Sequence, residues 1–190
     1  MKRCVVVCFA LLSASVAAAG GDILFSIDDF EDAKRSGERW VDESAAANKL
    51  SWEIVDGRGK GSKGMKIVFP KNAKGGISLS RYLEESEQWP AEGKVVRFWV
   101  KADRVTQIRI KVNELRGGKH STFEGFSANV DAGTEWKEIR LPLSSFAYLW
   151  GHGGGNKTLD PTRIGQLSIE QVNIAEPVTL TVDDMVVSKD

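Results

Sequence analysis

Apolar and polar residues alternate along several segments of the chain. In the clearest segment, residues 107–113, the apolar side chains Ile108, Ile110 and Val112 fall on one face and polar side chains on the other. A period of two is typical of a β-strand with one buried face. The same alternation recurs at residues 64–69, 76–83, 95–101, 136–141, 166–171 and 178–187. The pattern therefore predicts a chain built mainly of strands.

Turn-forming residues separate these segments, with glycine-containing clusters at residues 56–61, 116–118 and 131–133. No long segment has the period of an amphipathic helix, and the best helical candidate is the short stretch at residues 42–49. Many short strands without intervening helices favour an all-β antiparallel sandwich over a βαβ fold. Because the chain has neither an internal repeat nor a linker composition, we expect one domain over residues 22–190.

The first 19 residues differ in composition from the rest of the chain. Two basic residues precede an apolar stretch at residues 5–12, and small residues follow at 13–19. This order predicts a secretory signal peptide over residues 1–19. The apolar stretch is shorter than the ~20 residues of a membrane-spanning helix. We therefore expect cleavage, a secreted or periplasmic protein, and no integral membrane segment in the mature chain.

Both cysteines, Cys4 and Cys8, lie within this leader. The mature chain is therefore expected to have no disulfide, no thiolate nucleophile and no cysteine metal ligand. The full chain carries 26 basic and 26 acidic residues. This balance gives no reason to expect nucleic acid or an anionic membrane as a partner.

The sequence contains no recognisable catalytic motif. Its two histidines, His120 and His152, stand near glycines in expected loops, without a G-x-S-x-G elbow or an H-E-x-x-H helix. A glycosidase needs two carboxylates held across a sugar bond. Among 26 acidic residues, however, some pair at that separation is expected by chance. The sequence thus favours a binding protein over an enzyme.

Six tryptophans supply large flat surfaces that a folded chain must bury or use in binding. Trp99 is the most informative, because the alternation in residues 95–101 places it beside Arg97 and opposite the apolar side chains. An aromatic ring next to hydrogen-bond donors suits a polar, ring-shaped ligand such as a sugar. Packing of Trp99 beneath a loop is the alternative. For Trp40, Trp52, Trp89 and Trp136 we expect packing in or around the core.

The candidate binding face is larger if the strands at residues 95–101 and 107–113 are neighbours, because their polar side chains would then share one surface. Tyr148 and Trp150, beside a glycine-rich loop, would add an aromatic rim to it. The candidate ligand-binding residues are therefore Arg97, Trp99, Arg109, Lys111, Asn113, Tyr148 and Trp150.

Five longer motifs occur in an order that resembles a known group of domains. They are DDFED at residues 28–32, RFWVKA at 97–102, EWKEIRLPLSSF at 135–146, LDPTRIGQL at 159–167 and LTVDDM at 180–185. Together they resemble the galactose-binding-domain-like jelly rolls, especially carbohydrate-binding module family 11 and the complex I intermediate-associated protein domains. The resemblance implies a jelly-roll β-sandwich of two antiparallel sheets, with a concave face that binds a polysaccharide or oligosaccharide.

The resemblance also implies a structural Ca²⁺ that ties the first strand to the last. Calcium takes six to eight oxygen ligands from carboxylates and carbonyls. By analogy, Glu31 and Asp183 would supply side-chain ligands and Asp29 a carbonyl ligand, while the turn at residues 56–60 would form the remaining wall. Two unrelated acidic strand ends are the alternative.

Three functional hypotheses follow from the sequence. The first is an exported, noncatalytic glycan-binding protein with a structural calcium. The second is a protein-interaction or assembly module like the complex I intermediate-associated domains, which would present the same face to a protein partner. The third is a glycoside-active enzyme that uses acidic residues of the groove.

Overall fold

The computed structural model describes residues 22–44, 49–115, 122–152 and 155–190. The described residues contain the helix α1 (Ala33–Arg39) and short 3₁₀ turns at Glu85–Glu87, Leu143–Ser145 and Pro161–Arg163. None of their helices is long and apolar enough to cross a membrane. The strands are β1 (Ile23–Asp28), β2 (Trp40–Asp42), β3 (Ser51–Asp56), β4 (Lys63–Phe69), β5 (Asn72–Tyr82), β6 (Val95–Ala102), β7 (Thr106–Leu115), β8 (Thr122–Ala132), β9 (Lys137–Pro142), β10 (Ala147–Gly151), β11 (Ile164–Ile174) and β12 (Val178–Ser188).

These strands form two antiparallel sheets. The first has the order β3-β4-β12-β6-β9, and β1 also pairs with β12. The second has the order β10-β8-β7-β11-β5-β2. The expected all-β jelly-roll sandwich is thereby confirmed.

The core lies between the two sheets and consists of the apolar side of each alternating strand. Ile108, Ile110 and Val112 of β7 are buried there, and they face a layer from β6 that includes Phe98 and Val100. Each of the seven strands that the alternation predicted is present, with ends that differ by a few residues. The alternation therefore also identifies which side chains of these strands point away from the core.

The helix predicted at residues 42–49 is wrong in its described part. Asp42 is the last residue of β2, and residues 45–48 lie outside the described residues. The chain instead forms α1, whose first turn is capped by Asp32, since that carboxylate accepts a 3.0 Å hydrogen bond from the Arg35 backbone N–H. Because α1 has only seven residues and buries only Ser36, it has no apolar stripe that a pattern search would detect.

The strands that carry Trp99 and Arg109 are not neighbours, so the condition for one combined binding face is not met. β6 lies in the first sheet between β12 and β9, whereas β7 lies in the second sheet between β8 and β11. The connection from Ala102 to Thr106 crosses from one sheet to the other instead of forming a hairpin. Arg97 and Trp99 therefore lie on the outer face of one sheet, and Arg109 and Lys111 on that of the other.

A buried hydrogen-bond centre holds α1 against the end of β1. One oxygen of Asp28 accepts from the Phe30 backbone N–H at 2.9 Å and from the Ser36 hydroxyl at 2.8 Å. The other oxygen accepts from the indole N–H of Trp40 at 2.9 Å. Three donors thus compensate the desolvation of this carboxylate and fix the corner at which α1 leads into β2.

A buried ion pair reinforces the same corner. Arg81 of β5 is fully buried, and its Nη2 lies 2.8 Å from both carboxylate oxygens of Glu87. Arg39, the last residue of α1, approaches the same carboxylate at 2.8 Å. Burial lowers the pKa of Arg81, and the hydrogen bonds to Glu87 oppose that shift. The three side chains connect α1 to β5 and to the turn that follows it.

Candidate functional site

Five residues on five adjacent strands form a continuous row across the outer face of the second sheet. In the strand register, Trp150 lies opposite Gly125, Gly125 opposite Asn113, Asn113 opposite Gln166, and Gln166 opposite Tyr82. We call these residues the polar row. It spans four strand spacings, or about 19 Å, and therefore has the extent of an elongated ligand.

The aromatic end of the polar row depends on a glycine. A Cβ atom placed on Gly125 would lie 2.6 Å from Nε1 of Trp150 and 2.9 Å from Oδ1 of Asn113. The indole of Trp150 therefore occupies the space that any other side chain at position 125 would need. The His152 ring, 5.6 Å away, borders the indole. Trp150 thus lies half-buried at the β10 edge of the face.

The centre of the polar row is a chain of hydrogen bonds. Nδ2 of Asn113 donates to Oε1 of Gln166 at 2.5 Å, and Nε2 of Gln166 donates to both oxygens of Glu43 at 3.0 Å. Ser80 donates to Glu43 at 2.7 Å, and the Tyr82 hydroxyl also donates to it. Burial and this bond to Glu43 raise the pKa of Tyr82. The network fixes the side chains in place before any ligand arrives.

One acceptor in this network has no protein partner. Oδ1 of Asn113 is buried and accepts no hydrogen bond within the described residues. It lies on the side of Asn113 that faces Gly125 and Trp150. A buried acceptor without a donor is costly. The described residues therefore leave the acceptor capacity of this atom, beneath the edge of Trp150, unused.

A second line of polar side chains runs beside the polar row. Lys111 lies between Ser127 of β8 and Ser168 of β11. Next to it, Arg109 forms an ion pair with Glu170 at 3.1 Å. Within the described ranges, the Lys111 ammonium group has neither a hydrogen-bonding nor an ionic partner, so it can donate to a ligand.

The structure brings four of the sequence-predicted ligand residues onto this face: Arg109, Lys111, Asn113 and Trp150. Tyr148 lies on the same edge strand, where its ring packs edge-on against Phe126 at 5.8 Å. The ammonium group of Lys157 lies 5.5 Å from the Tyr148 ring. Tyr148 therefore borders the face and is partly committed to packing.

Arg97 and Trp99 lie on the opposite side of the molecule. The guanidinium of Arg58, in the turn between β3 and β4, lies over the Trp99 ring at 4.1 Å from its centroid. Arg97 pairs with Glu138 of β9 at 2.7 Å. Of the two expectations for Trp99, the structure therefore matches packing beneath a loop.

Several residues of the face were not predicted from the sequence. Gln166 and Tyr82 lie in strands that the alternation predicted, and their outward positions follow from the same period of two. Glu43 follows β2, in a stretch predicted to be helical. Gly125 has no side chain, so a search for binding side chains does not identify it. The alternation could have placed Gln166 and Tyr82 on the outer face, but it could not have aligned their strands.

The residues proposed as calcium ligands meet beside the β3–β4 turn. Glu31 accepts a hydrogen bond from the Lys63 backbone N–H at 2.9 Å, and Oδ2 of Asp183 accepts one from the Arg58 backbone N–H at 2.8 Å. The Asp29 side chain instead accepts from the Glu31 backbone N–H at 3.2 Å. Asp183 thus binds the turn at residues 56–60 that was expected to form the wall of the site, whereas Glu31 binds Lys63, the first residue of β4.

The electrostatics around Asp183 and the β3–β4 turn suit a cation. Oδ1 of Asp183 is buried and has no hydrogen-bond partner in the described residues. Burial raises the pKa of Asp183, and the neighbouring carboxylates of Asp184 and Glu31 raise it further. Gly57 allows the turn to approach, since a Cβ atom there would lie 2.6 Å from Oδ2 of Asp183. No group of three or more Asp, Glu, His or Cys side chains in the described ranges is already arranged as a metal centre, so main-chain oxygens would have to complete the coordination.

Comparison with protein families gives one match, to the carbohydrate binding domain (family 11), over residues 14–185. No curated protein sequence is similar enough to this chain to count as a relative. Solved structures show the same fold. A family 11 carbohydrate-binding module from Clostridium thermocellum, in complex with a β-1,3-1,4-mixed-linked tetrasaccharide, has a TM-score of 0.74 and 22% identity, covering 86% of this chain and 94% of that one.

Two further structures have the same arrangement. The family 11 module of the cellulosomal cellulase Lic26A-Cel5E of Clostridium thermocellum has a TM-score of 0.73 and 23% identity, covering 90% of this chain and 96% of that one. The family 30 module of the cellulosomal cellulase Cel9D-Cel44B of the same organism has a TM-score of 0.54 and 14% identity, covering 78% of this chain and 87% of that one. At these identities, the structural likeness concerns the fold.

Proposed function

Since the chain belongs to the family 11 carbohydrate-binding domains, we propose that it is a noncatalytic protein that binds a glycan along the polar row of the second sheet. The observation that carries this proposal is the register that aligns Trp150, Asn113, Gln166 and Tyr82 across five strands. An elongated glycan laid across the strands would contact Trp150 and Tyr82 at the two ends and pass over Asn113 and Gln166 between them.

The chemistry of the polar row matches that of a sugar chain. Trp150 offers a flat apolar surface to the C–H face of a sugar ring. Side-chain amides can donate hydrogen bonds to its hydroxyls and accept them, and carboxylates can accept them. Asn113 and Gln166 are nearly buried, at 3% exposure each, and are held by one another. A preformed set of partners reduces the entropy lost on binding.

The carboxylates of this face favour binding over hydrolysis. Glu43 accepts hydrogen bonds from Ser80, Tyr82 and Gln166, and Glu170 is paired with Arg109. A glycosidase needs one carboxyl group as acid and another as base or nucleophile across an open cleft. Glu43 and Glu170 are instead committed to donors of the protein itself, which fits them for positioning neighbouring groups.

Binding to a panel of glycans tests the proposal. The panel should include mixed-linked β-glucan, because one structural neighbour binds a β-1,3-1,4-mixed-linked tetrasaccharide, together with xylan, mannan and agarose. Calorimetry on residues 22–190 should detect binding to at least one of them. Absence of binding to every glycan, or a stable protein partner that sugars do not displace, would argue against the proposal.

Export is a second part of the proposal, and the order of basic, apolar and small residues at positions 1–19 supports it. We expect the protein to reach the periplasm or the medium with this leader removed. N-terminal sequencing of protein made with the full leader in a bacterial host measures the outcome. A cytoplasmic product that still begins at Met1 would contradict it.

A structural calcium is the third part of the proposal. Glu31 and Asp183 would supply carboxylate ligands, and the main chain of Asp29 and of the β3–β4 turn would supply carbonyls. The unpartnered buried oxygen of Asp183 supports this site. The ion would link the end of β1, the start of β4 and the middle of β12, and chelation followed by thermal unfolding tests it.

A further inference from the structure

A pocket lies at one end of the polar row, next to Tyr82. It has a volume of about 380 Å³ and lies between α1, β2 and the end of β5. This volume is near the lower end of the range for small-molecule sites. We call it the corner pocket, and its lining residues are Glu38, Arg39, Val41, Glu43, Arg81, Tyr82 and Glu84.

The corner pocket continues the polar row. Glu43 and Tyr82 line the pocket and also belong to the hydrogen-bond network of the row. A ligand that passes from Trp150 across Asn113 and Gln166 would therefore reach the pocket without leaving the sheet surface. Pocket and row form one continuous surface.

The row ends in the corner pocket because the next position belongs to a helix. Trp40 of β2 lies opposite Arg81. The residue beside Tyr82 is therefore Arg39, the last residue of α1. Glu38 and Arg39, at the end of α1, line the pocket on this side. Among the described residues, the row is therefore bordered here by α1 and not by a further strand, and we call this end of α1 the wall.

That wall is held firmly in place. Arg39 is bound to Glu87, which also binds the buried Arg81. At the end of β1, the carboxylate of Asp28 binds the hydroxyl of Ser36 in α1 and the indole N–H of Trp40. Because these contacts are buried or nearly so, moving α1 aside would break several charged hydrogen bonds at once.

The charges of the corner pocket select a neutral ligand. The carboxylates of Glu38, Glu43 and Glu84 line it, whereas its two guanidinium groups are committed to Glu87. An anionic sugar would meet unbalanced negative charge there. The hydroxyls of a neutral sugar, in contrast, can donate to carboxylates, and its ring can pack against Val41 and Tyr82.

We propose that the corner pocket holds the terminal ring of a neutral glycan, so that the protein binds chain ends rather than chain interiors. This inference rests on the proposed glycan binding along the polar row. It adds that the row is closed at the Tyr82 end and open at the Trp150 end. A chain longer than the row therefore extends past Trp150 and not past α1.

A pair of matched variants tests the pocket. Val41 is 45% exposed, and Val41→Trp places an indole in the pocket without disturbing the core. Val105, which is 83% exposed and does not line the pocket, gives the control Val105→Trp. Against a short mixed-linked β-glucan oligosaccharide, we expect V41W to bind at least tenfold more weakly than wild type, and V105W to bind within about twofold. Equal binding by V41W and wild type would overturn the proposal.

Stoichiometry provides an independent measurement. With mixed-linked β-glucan fractions of increasing chain length, we expect the number of protein molecules bound per chain to stay constant, because each chain has one end of each kind. A number that rises with chain length would refute end binding and leave glycan binding along the row intact. If the wild-type protein binds no glycan of any length, the proposed function fails, and the pocket inference fails with it.

Discussion

The side-chain amides of Asn113 and Gln166 are joined by a 2.5 Å hydrogen bond across β7 and β11. Gln166 is in turn bound to both oxygens of Glu43, so neither amide can rotate independently. Oδ1 of Asn113, which has no donor among the described residues, lies beside Trp150. The protein thus uses its own groups to orient the central part of the face and leaves an unpaired acceptor next to its aromatic end.

The glycine beneath Trp150 gives a test that replaces no side chain of the polar row. In Gly125→Ala, the new methyl group would lie 2.6 Å from Nε1 of Trp150, so the indole must move. We expect glycan affinity to fall at least tenfold in calorimetry. Gly133→Ala is the control, because a Cβ atom there has no neighbour within 4 Å, and its affinity should equal that of wild type. Unchanged affinity in G125A would show that the position of the indole is not important.

Variants of two tryptophans on opposite outer faces test which of the two faces binds the glycan. Trp150→Ala should weaken glycan binding by about 2 kcal/mol, or roughly thirtyfold, as is common when a large aromatic contact is removed. Trp99→Ala should leave affinity unchanged and lower stability by about 1 kcal/mol, because it removes the stacking with Arg58. The opposite result, with affinity lost in W99A, would move the site to the first sheet.

Chelation is expected to lower the melting temperature of the wild-type protein. An ion at 100 times its dissociation constant stabilises the folded state by about 2.7 kcal/mol, which corresponds to roughly 5–10 °C for a domain of this size. Asp183→Asn should have a lower melting temperature that no longer responds to excess chelator. A wild-type melting temperature that is the same with and without chelator would exclude the calcium.

The buried ion pair at the corner should matter far more than a surface pair. Glu87→Gln leaves the buried Arg81 without a countercharge, and we expect a loss of about 3–5 kcal/mol in the free energy of unfolding. The control is Glu53→Gln, which removes the exposed partner of Lys66 and should cost less than about 1 kcal/mol. Urea denaturation measures both, and similar losses would mean that Arg81 is solvated or finds another partner.

Stability should depend on pH through Glu114. Burial raises the pKa of this carboxyl group above its ordinary value of 4.5, and the nearby Glu124 adds to the shift. The folded state therefore holds this proton more tightly than the unfolded state does. The stability that protonated Glu114 contributes is present below the ordinary pKa of the carboxyl group and is lost as pH rises from that pKa through the higher pKa of the folded state.

Glu114→Gln keeps an acceptor for the Asp160 backbone N–H but cannot ionise. Relative to this variant, the free energy of unfolding of the wild-type protein should decrease as pH rises through that window. Parallel stability curves for the two proteins over this range would rule out such a role for Glu114.

Much of the second sheet could be predicted from the sequence, because alternation depends only on local burial. The pattern in β7 correctly separated Ile108, Ile110 and Val112 from Arg109, Lys111 and Asn113. It could not reveal that β6 and β7 belong to different sheets, because a short connection can either form a hairpin or cross the sandwich. Because the connection between β6 and β7 crosses the sandwich, Trp99 and Arg109 lie on different sheets.

The remaining parts of the face depend on contacts between distant segments. Glu43 and Gln166 are separated by 123 residues and meet only because β2 and β11 both flank β5. Gly125 matters through the space that it leaves for Trp150, a property that no local pattern records. Helix α1 was missed because its stability comes from caps and ion pairs and not from an apolar stripe.

The direction of the polar row has a consequence for how specificity can change. Because the row crosses the strands, each of its positions comes from a different strand. A substitution at Trp150 therefore alters one end of the ligand path, whereas a substitution at Asn113 also removes a hydrogen bond to its neighbour Gln166. Combinatorial libraries could therefore vary such a surface strand by strand on an unchanged scaffold, provided that hydrogen-bonded neighbours such as Asn113 and Gln166 are varied together.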